Sequence, residues 1–576
     1  MTEERAEITG GAHLARALRA EGITRVFGIP GTHNLEIFAQ LAAEDIEIIT
    51  PRHEQGAGFM ADGAARASGE VQVVVTTTGP AVLNALTALL QSFTDSVPVL
   101  LIGPGMPLTH PGRGNGLLHE VRNQSQAIEA ILGDSHRVTS PGEVSLALGQ
   151  ALSTMRTGRA RPAYIEIPLD LIETEGPGWL HPAVTRGVPA PEPSAIRSAA
   201  EALAGSQRPL LIVGAGARSA GPEIEELSEA LGAGVILSSN AKGTIDDGFE
   251  NCLGAIGVLE ELPDLLGAAD AVVAIGTELA PSDFWPEPLP LPHTVVRIDL
   301  DEIQMLRNAR VTHPIPAHAK DSTTALTHRL QQTRSPSLSQ SALEWLRSRQ
   351  ETIAAAAAND GTPWAILSGA LNDYTASAES TVIVAADSTM CCYYGVQTGW
   401  NARRGDRFLY PAGAGTLGYG LPAGIGAKLA VPESTVVAIE GDGGAMFTIT
   451  ELAAAVQARV SLTLIIVDNG GYGEIRNEMA DRGDTPAGVA LLGPDFPALA
   501  RSMGARGHHI DTRAQLLSAL RDAEDFAGPS LIHMTEDSRA ATDMLGRSRD
   551  NDESRQHDRP RDAHDRPRKN EESDLT

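Results

Sequence analysis

The sequence predicts an α/β protein built from three doubly wound parallel-sheet domains, with a disordered C-terminal tail. Three observations carry that expectation. Short β-branched apolar runs recur along most of the chain, separated by stretches rich in Ala, Leu and Glu. That alternation is the pattern of parallel strands buried on both faces and joined by helices. Two breaks, one rich in Pro and Gly and one in Ser, Gln and Pro, divide the runs into three blocks. A length of 576 residues calls for several domains, roughly three or four.

Within the first block, residues 6–175, strands are expected at 72–78 and 97–103. The linker 176–194 leads to the second block, 195–330, with strands at 209–213, 271–275 and 294–300. A break at 331–341 precedes the third block, 360–537, where strands are expected at 381–387, 434–440 and 461–468. From Ser538 onward the pattern is lost. From Ser548 the chain is an Asp, Arg, Asn and Pro tail whose charges nearly cancel, and the segment 538–576 is expected to be disordered because it cannot bury enough apolar surface to fold.

The composition, 42% hydrophobic and 20% charged, is that of a soluble globular chain. No apolar run approaches the ~18 residues that span a bilayer, and the acidic start Met1-Thr2-Glu3-Glu4-Arg5 lacks a signal-peptide apolar region. A cytoplasmic location is expected. Cys252, Cys391 and Cys392 cannot form a disulfide framework and fit a reducing compartment. A net charge of −28 argues against nucleic acid or an anionic membrane as partner. It agrees with a cationic substrate, although solubility explains it equally well.

The strand expected at 434–440 runs into Gly441-Asp442-Gly443-Gly444, and the strand at 461–468 into Asp468-Asn469-Gly470-Gly471-Tyr472. Open α/β sheets place ligands at the carboxyl ends of such strands, so Asp442 and Asn469, 27 positions apart, should sit side by side. The pair resembles the metal-and-diphosphate signature of thiamine diphosphate enzymes. A carboxylate and an amide oxygen, with the Gly471 carbonyl that the resemblance adds, suit a Mg²⁺ bridging phosphate oxygens. Gly441, Gly443 and Gly444 would let backbone N–H groups and a helix N-terminus close on the diphosphate. Glu451 looks like a further ligand, but Thr448-Ile449-Thr450-Glu451 has the form of a capping box and gives it a structural role.

Other words extend the resemblance over about residues 6–535, to the thiamine diphosphate-dependent 2-oxoacid decarboxylase and acetolactate synthase superfamily. They are Arg52-His53-Glu54-Gln55-Gly56-Ala57, Thr78-Gly79-Pro80, Asp95-Ser96-Val97-Pro98, Ile165-Glu166-Ile167-Pro168 and Gly415-Thr416-Leu417-Gly418-Tyr419-Gly420-Leu421-Pro422. The resemblance implies that the first block, through Glu54, Thr78 and Gly79, grips the aminopyrimidine, and the third grips the diphosphate. Glu54 would be the cofactor-activating carboxyl, shielded from water and bonded to a ring nitrogen; His53 is expected to be structural. Leu417, with Gly415 before it, would wedge between the cofactor rings, or else be a core leucine. Asp387-Ser388-Thr389 matches the second diphosphate loop, with an ordinary strand-end turn as the alternative.

Two glycine patterns are decoys for a nucleotide site. Gly413-Ala414-Gly415-Thr416-Leu417-Gly418 follows Tyr410-Pro411-Ala412 rather than a strand, and Gly214-Ala215-Gly216 has Ser219 where a third glycine belongs. Flavin is unlikely, because the segment 276–285 lacks the arginine of the flavin-binding synthases. Gly473-Glu474-Ile475-Arg476, residues 112–120 and residues 276–279 are most similar to the 5-guanidino-2-oxopentanoate decarboxylase branch. Glu474 and Glu478, four apart on a helix beside Ile475, would pair with a guanidinium, or form a solvated acidic face. His119 would protonate the carbon that loses CO₂, or be a surface histidine. Asp468 stands where many relatives have a second asparagine, and Glu120 and the adjacent Cys391 and Cys392 receive no role.

The implied activity is decarboxylation of a 2-oxoacid, best matched by 5-guanidino-2-oxopentanoate. An acetolactate synthase-type carboligase and a non-catalytic paralogue acting as a binding or regulatory subunit are the alternatives. The family completes each site across a subunit interface, so a homodimer or homotetramer is implied.

Overall fold

The computed structural model describes residues 7–184, 187–286, 289–333 and 339–536. The expected tail 538–576 and the middle of the break at 331–341 lie outside the described residues.

Three six-stranded sheets, parallel throughout, hold the β-branched runs in their interiors. The first sheet orders its strands Glu47–Ile49, Arg25–Gly28, Gln72–Val75, Val99–Gly105, Ala163–Pro168 and Ser135–Arg137 from edge to edge. Its order reverses between Arg25–Gly28 and Gln72–Val75, so the loops after those strands flank a ligand crevice. In the third sheet the order is Arg407–Leu409, Val382–Ala386, Thr435–Gly441, Thr463–Asp468, Ser530–Thr535 and Arg506–His509. There the reversal falls between Val382–Ala386 and Thr435–Gly441, just before Asp387 and Asp442. The central sheet runs Cys252–Gly254, Gly234–Leu237, Pro209–Val213, Ala271–Ile275, Thr294–Asp299 and His313–Pro316.

The first and third sheets share one core. Helix Glu54–Ser68 lies across helix Gly420–Ala430, and Phe59, Leu89, Tyr419, Leu421 and Ile425 pack into a single apolar cluster. The crossing is backbone to backbone. A β-carbon at Gly426 would collide with the Met60 carbonyl, and one at Gly63 with the Ala423 carbonyl. A buried ionic junction fastens all three domains beside that crossing. Arg66 bonds Asp62 (2.6 Å), Asp95 (2.8 Å) and Asn240 of the central domain (2.8 Å). Asp95 in turn accepts from the Gly413 N–H at 2.8 Å. Burial raises the Asp95 carboxyl, opposed by Arg66. The Asp95-Ser96-Val97-Pro98 word therefore belongs to domain assembly.

One expectation fails at element level. A short edge strand, Arg407–Leu409, does precede the Gly413–Gly418 stretch. Three residues against a single neighbouring strand left too weak a pattern to read. The following loop is held by domain 1 rather than open to a nucleotide: Asp95 binds Gly413, and Gln91 accepts from the Ala414 N–H at 3.2 Å.

Candidate active site

At the first crevice, Glu54 opens helix Glu54–Ser68, behind an N-cap formed by His53, whose ring accepts from the Gln55 N–H at 3.1 Å. The Glu54 carboxylate accepts from Asn84 at 3.0 Å and is half-buried, less shielded within one chain than expected. The turn before it is fixed from the third domain. Glu451 accepts from the Arg52 N–H (2.9 Å) and the His53 N–H (3.0 Å), and Gly56 leaves room for that carboxylate where a β-carbon would collide.

The capping-box expectation for Glu451 is thus corrected. Thr448 donates to the Gly418 carbonyl at 2.7 Å instead of capping, and Glu451 reaches out of its own helix to another domain. Its role is structural, but between domains. Burial pushes its carboxyl up to about 7, against the opposing pull of the Arg52 and His53 N–H groups.

Thr78 sits at the same reversal point, between two histidines. Its Oγ1 lies 2.6 Å from His33 Nδ1 and 3.3 Å from His119 Nδ1, and the rings meet edge-on at 5.5 Å. Gly79 adopts φ +64°, with its N–H held by Gln124 Oε1 at 2.8 Å. Glu120 accepts from the Asn115, Gly116 and Leu117 N–H groups and pairs with His110 at 2.6 Å. Those bonds, the Asn115 N–H foremost, hold its carboxyl below the usual range. Glu120 folds the loop that delivers His119. His33 and Gln124 escaped the sequence reading. The available signal for His33 was a polar Gly31-Thr32-His33-Asn34 stretch closely following the short strand Arg25–Gly28.

At the second crevice, Asp387 is turned inward. It is 0% exposed and accepts from the Gly418 (3.0 Å) and Tyr419 (3.1 Å) N–H groups. Burial pushes its carboxyl up to about 6. Asp387 therefore shapes the loop carrying Gly415 (φ +59°) and the half-buried Leu417, leaving Ser388 and Thr389 at the mouth. Thr389 lies against Gly441, where a β-carbon would crowd its hydroxyl.

Asp442, 3% exposed, accepts from the Asn469 N–H at 3.2 Å, which confirms the two strand ends as neighbours. Burial raises the Asp442 carboxyl, and Asp468 adds to the effect. Asn469 Oδ1 is buried without a hydrogen-bond partner among the described residues. An orphaned amide oxygen is costly unless something binds it. Gly471 (φ +135°) turns its carbonyl toward Gly443, within 3.2 Å of where a β-carbon there would stand, and Gly444 leaves room for the Asp387 carboxylate. One carboxylate, one unsatisfied amide oxygen and one carbonyl form a hard-oxygen set that fits Mg²⁺. Asp468 is occupied elsewhere, with the Gly470 N–H (2.9 Å) and His533 (3.0 Å).

Helix Gly473–Asp481 starts directly after this loop. Glu474 is half-buried and accepts from the Tyr394 hydroxyl at 3.1 Å, and burial raises its carboxyl. Ile475, 44% exposed, and Glu478 face outward. Cys391–Val396 forms a π-helical turn that sets Tyr393 beside Tyr394; Trp285 of the central domain meets both edge-on, and Trp364 stacks on Tyr394. The tyrosines were also missed by the sequence reading, since only the π-turn aims them at Glu474. Among the described residues, no hydrogen bond or ion pair joins Glu54, Thr78 or His119 to Asp387, Asp442 or Asn469.

The two crevices correspond to known domains. Residues 8–127 match the thiamine pyrophosphate enzyme N-terminal TPP binding domain, 196–326 the central domain and 388–534 the C-terminal TPP binding domain. A protein from Pseudomonas aeruginosa, described as a probable 2-ketoarginine decarboxylase, is 37% identical over 92% of this chain and 94% of its own length. The acetolactate synthase isozyme 2 large subunit of Escherichia coli is 28% identical over 92% of this chain and 96% of its own length. The acetolactate synthase of Arthrospira platensis, also 28% identical, covers 91% of this chain and 93% of its own length. Glu54 thus stands in an N-terminal and Asp442 with Asn469 in a C-terminal cofactor-binding domain, and the chain belongs to the thiamine pyrophosphate enzymes, as a 2-oxoacid decarboxylase or related carboligase.

Proposed function

We propose that this chain is a Mg²⁺-dependent decarboxylase of 5-guanidino-2-oxopentanoate that releases an aldehyde and CO₂. The observation that carries the substrate is Glu474: a half-buried carboxylate fixed by Tyr394, in the first turn after the metal loop. A carboxylate held in place there recognises a guanidinium by paired charge-assisted bonds, with Glu478 one turn on adding negative charge. The name of the Pseudomonas aeruginosa relative, which refers to the same compound, supports this reading.

Bound thiamine diphosphate supplies the electron sink for breaking the carbon–carbon bond. Asp442, Asn469 and the Gly471 carbonyl would hold the metal. Glu54 would hydrogen-bond the aminopyrimidine, and Ser388 and Thr389 would meet the diphosphate. His119 holds a proton at the substrate end. Half-exposed Glu54, unconnected within one chain to the diphosphate loops, supports completion of each site by a second copy.

The test is CO₂ release from a panel of 2-oxoacids with thiamine diphosphate and Mg²⁺. The guanidino acid should turn over best and yield an aldehyde. Acetolactate formed from pyruvate alone would overturn the assignment in favour of a carboligase.

A further inference from the structure

The first crevice contains an arrangement that the activity above leaves unexplained. Two histidines from different loops converge on one hydroxyl. Thr78 Oγ1 is within hydrogen-bond distance of Nδ1 of both rings, 2.6 Å to His33 and 3.3 Å to His119. A threonine hydroxyl carries a single hydrogen, so in the relayed arrangement it donates to one ring and accepts from the other. The two Nδ1 atoms then hold one proton between them. Among the described residues no carboxylate is bonded to either ring, so nothing there stabilises a second positive charge, and the rings are only 5.5 Å apart.

The chain holds this grouping in strained backbone. His119 occupies the left-handed region at φ +60°, sparsely populated for a side-chain-bearing residue, and packs its carbonyl against Gly79, itself at φ +64°. Gln124 fastens the Gly79 N–H from behind and is itself bonded to the Tyr164 hydroxyl (2.6 Å) and the Pro104 carbonyl (2.9 Å). His33 and Thr78 follow the two strands between which the first sheet reverses, so the fold aims both into the crevice.

We propose that His33, Thr78 and His119 form one proton-holding unit, in which His33 is the positioning partner, and that this unit delivers the proton replacing CO₂ at the substrate carbon. The inference rests on the decarboxylase reading above. In balance, the bond between the keto carbon and the carboxylate breaks and CO₂ leaves. The electron pair left on that carbon takes the proton from His119, and a solvent proton recharges the pair through Thr78 and His33. One 2-oxoacid anion and one proton give one aldehyde and one CO₂. A carboligase instead places that electron pair on a second carbonyl carbon, so a proton poised here favours the aldehyde outcome.

Single-turnover measurements of CO₂ and of aldehyde on His33→Asn, His119→Asn, the double variant, Thr78→Val and Thr78→Ser test the unit. At saturating thiamine diphosphate and Mg²⁺, the expected result is an aldehyde rate that falls ~10²-fold relative to the CO₂ rate of the same variant in either histidine change and in Thr78→Val. Thr78→Ser should restore the aldehyde rate, and the double variant should be no slower than the slower single one. With an acceptor aldehyde present, the slowed variants should divert to the carboligated product. Multiplying effects of the two histidine changes, or an unchanged aldehyde rate in His33→Asn, would overturn the proposal.

A second readout needs no turnover: histidine-selective NMR titration. His33 is lowered by burial and by His119, so its titration should move upward in His119→Asn. An unmoved His33 would refute the pair. Absence of CO₂ release from every 2-oxoacid would instead refute the decarboxylase reading, and the titration would still decide the pair.

Discussion

Asn469 carries an oxygen that the described chain leaves unsatisfied at the mouth of the second crevice, and Asn469→Ala removes it without disturbing the strand behind. In thermal melts the wild type should gain ~2–4 kcal/mol from saturating thiamine diphosphate with Mg²⁺. The Mg²⁺-dependent part of that gain should vanish in Asn469→Ala, while the ligand-free melting point stays close to the wild type's. Beyond the loop at 469–471, Tyr394→Phe deletes the hydroxyl that fixes Glu474. A hydrogen bond to a charged group is worth ~1.5–3 kcal/mol. On the proposed specificity, KM for 5-guanidino-2-oxopentanoate should therefore rise ~10-fold or more with kcat little changed, and kcat/KM for neutral 2-oxoacids should stay constant. Steady-state kinetics on one cationic and one neutral substrate decide it.

Elements joined across domains make their own predictions. Glu451, on a helix of the third domain, pins the turn that starts the Glu54 helix, and its folded-state carboxyl stands at about 7 against an ordinary value of 4.5. The folded state therefore binds this proton more tightly than the unfolded state. The linked stability is fully present below pH ~4.5 and is lost as pH rises through about 7. Glu451→Gln removes the linkage, so urea denaturation should show the variant gaining ~1–3 kcal/mol relative to wild type between pH 5 and pH 8. The crossing of Glu54–Ser68 over Gly420–Ala430 makes a sharper demand. Gly426→Ala drives a methyl group into the Met60 carbonyl and should destabilise by ~1–3 kcal/mol in the same assay.

How legible these elements were depended on their chemistry. Runs buried on both faces showed themselves: Pro209–Val213 and Ala271–Ile275 were read to the residue, and Thr463–Asp468 within two. Short or polar edge strands such as Ser135–Arg137 and Arg407–Leu409 gave no periodicity to find. The adjacency of Asp442 and Asn469 was legible because both stand at the ends of neighbouring buried strands. His33, Gln124 and Tyr394 were not, because each is an ordinary polar residue until the fold brings it to Thr78, Gly79 or Glu474. Glu451 was misread for the same reason: its spacing from Thr448 is local, whereas its partners lie about 400 positions away.

For the molecule as a whole, the lack of any hydrogen bond or ion pair between Glu54 and the Asp387 and Asp442 loops among the described residues sets the quaternary expectation. Light scattering should find a dimer or tetramer, and specific activity should fall on dilution below the dissociation constant. A strictly monomeric active species would exclude a shared site. Among the described residues no helix is long and apolar enough to cross a membrane.

The core shared by the first and third sheets has a consequence for biosynthesis. The ribosome completes Phe59 and Leu89 more than 300 codons before Tyr419, Leu421 and Ile425, the side chains that cover them. At ~5–20 residues per second the nascent N-terminal half must wait on the order of tens of seconds with that greasy flank bare. A fragment stopped at residue 333 should therefore bind hydrophobic dyes and aggregate, and the growing polypeptide should depend on chaperones until its last third emerges.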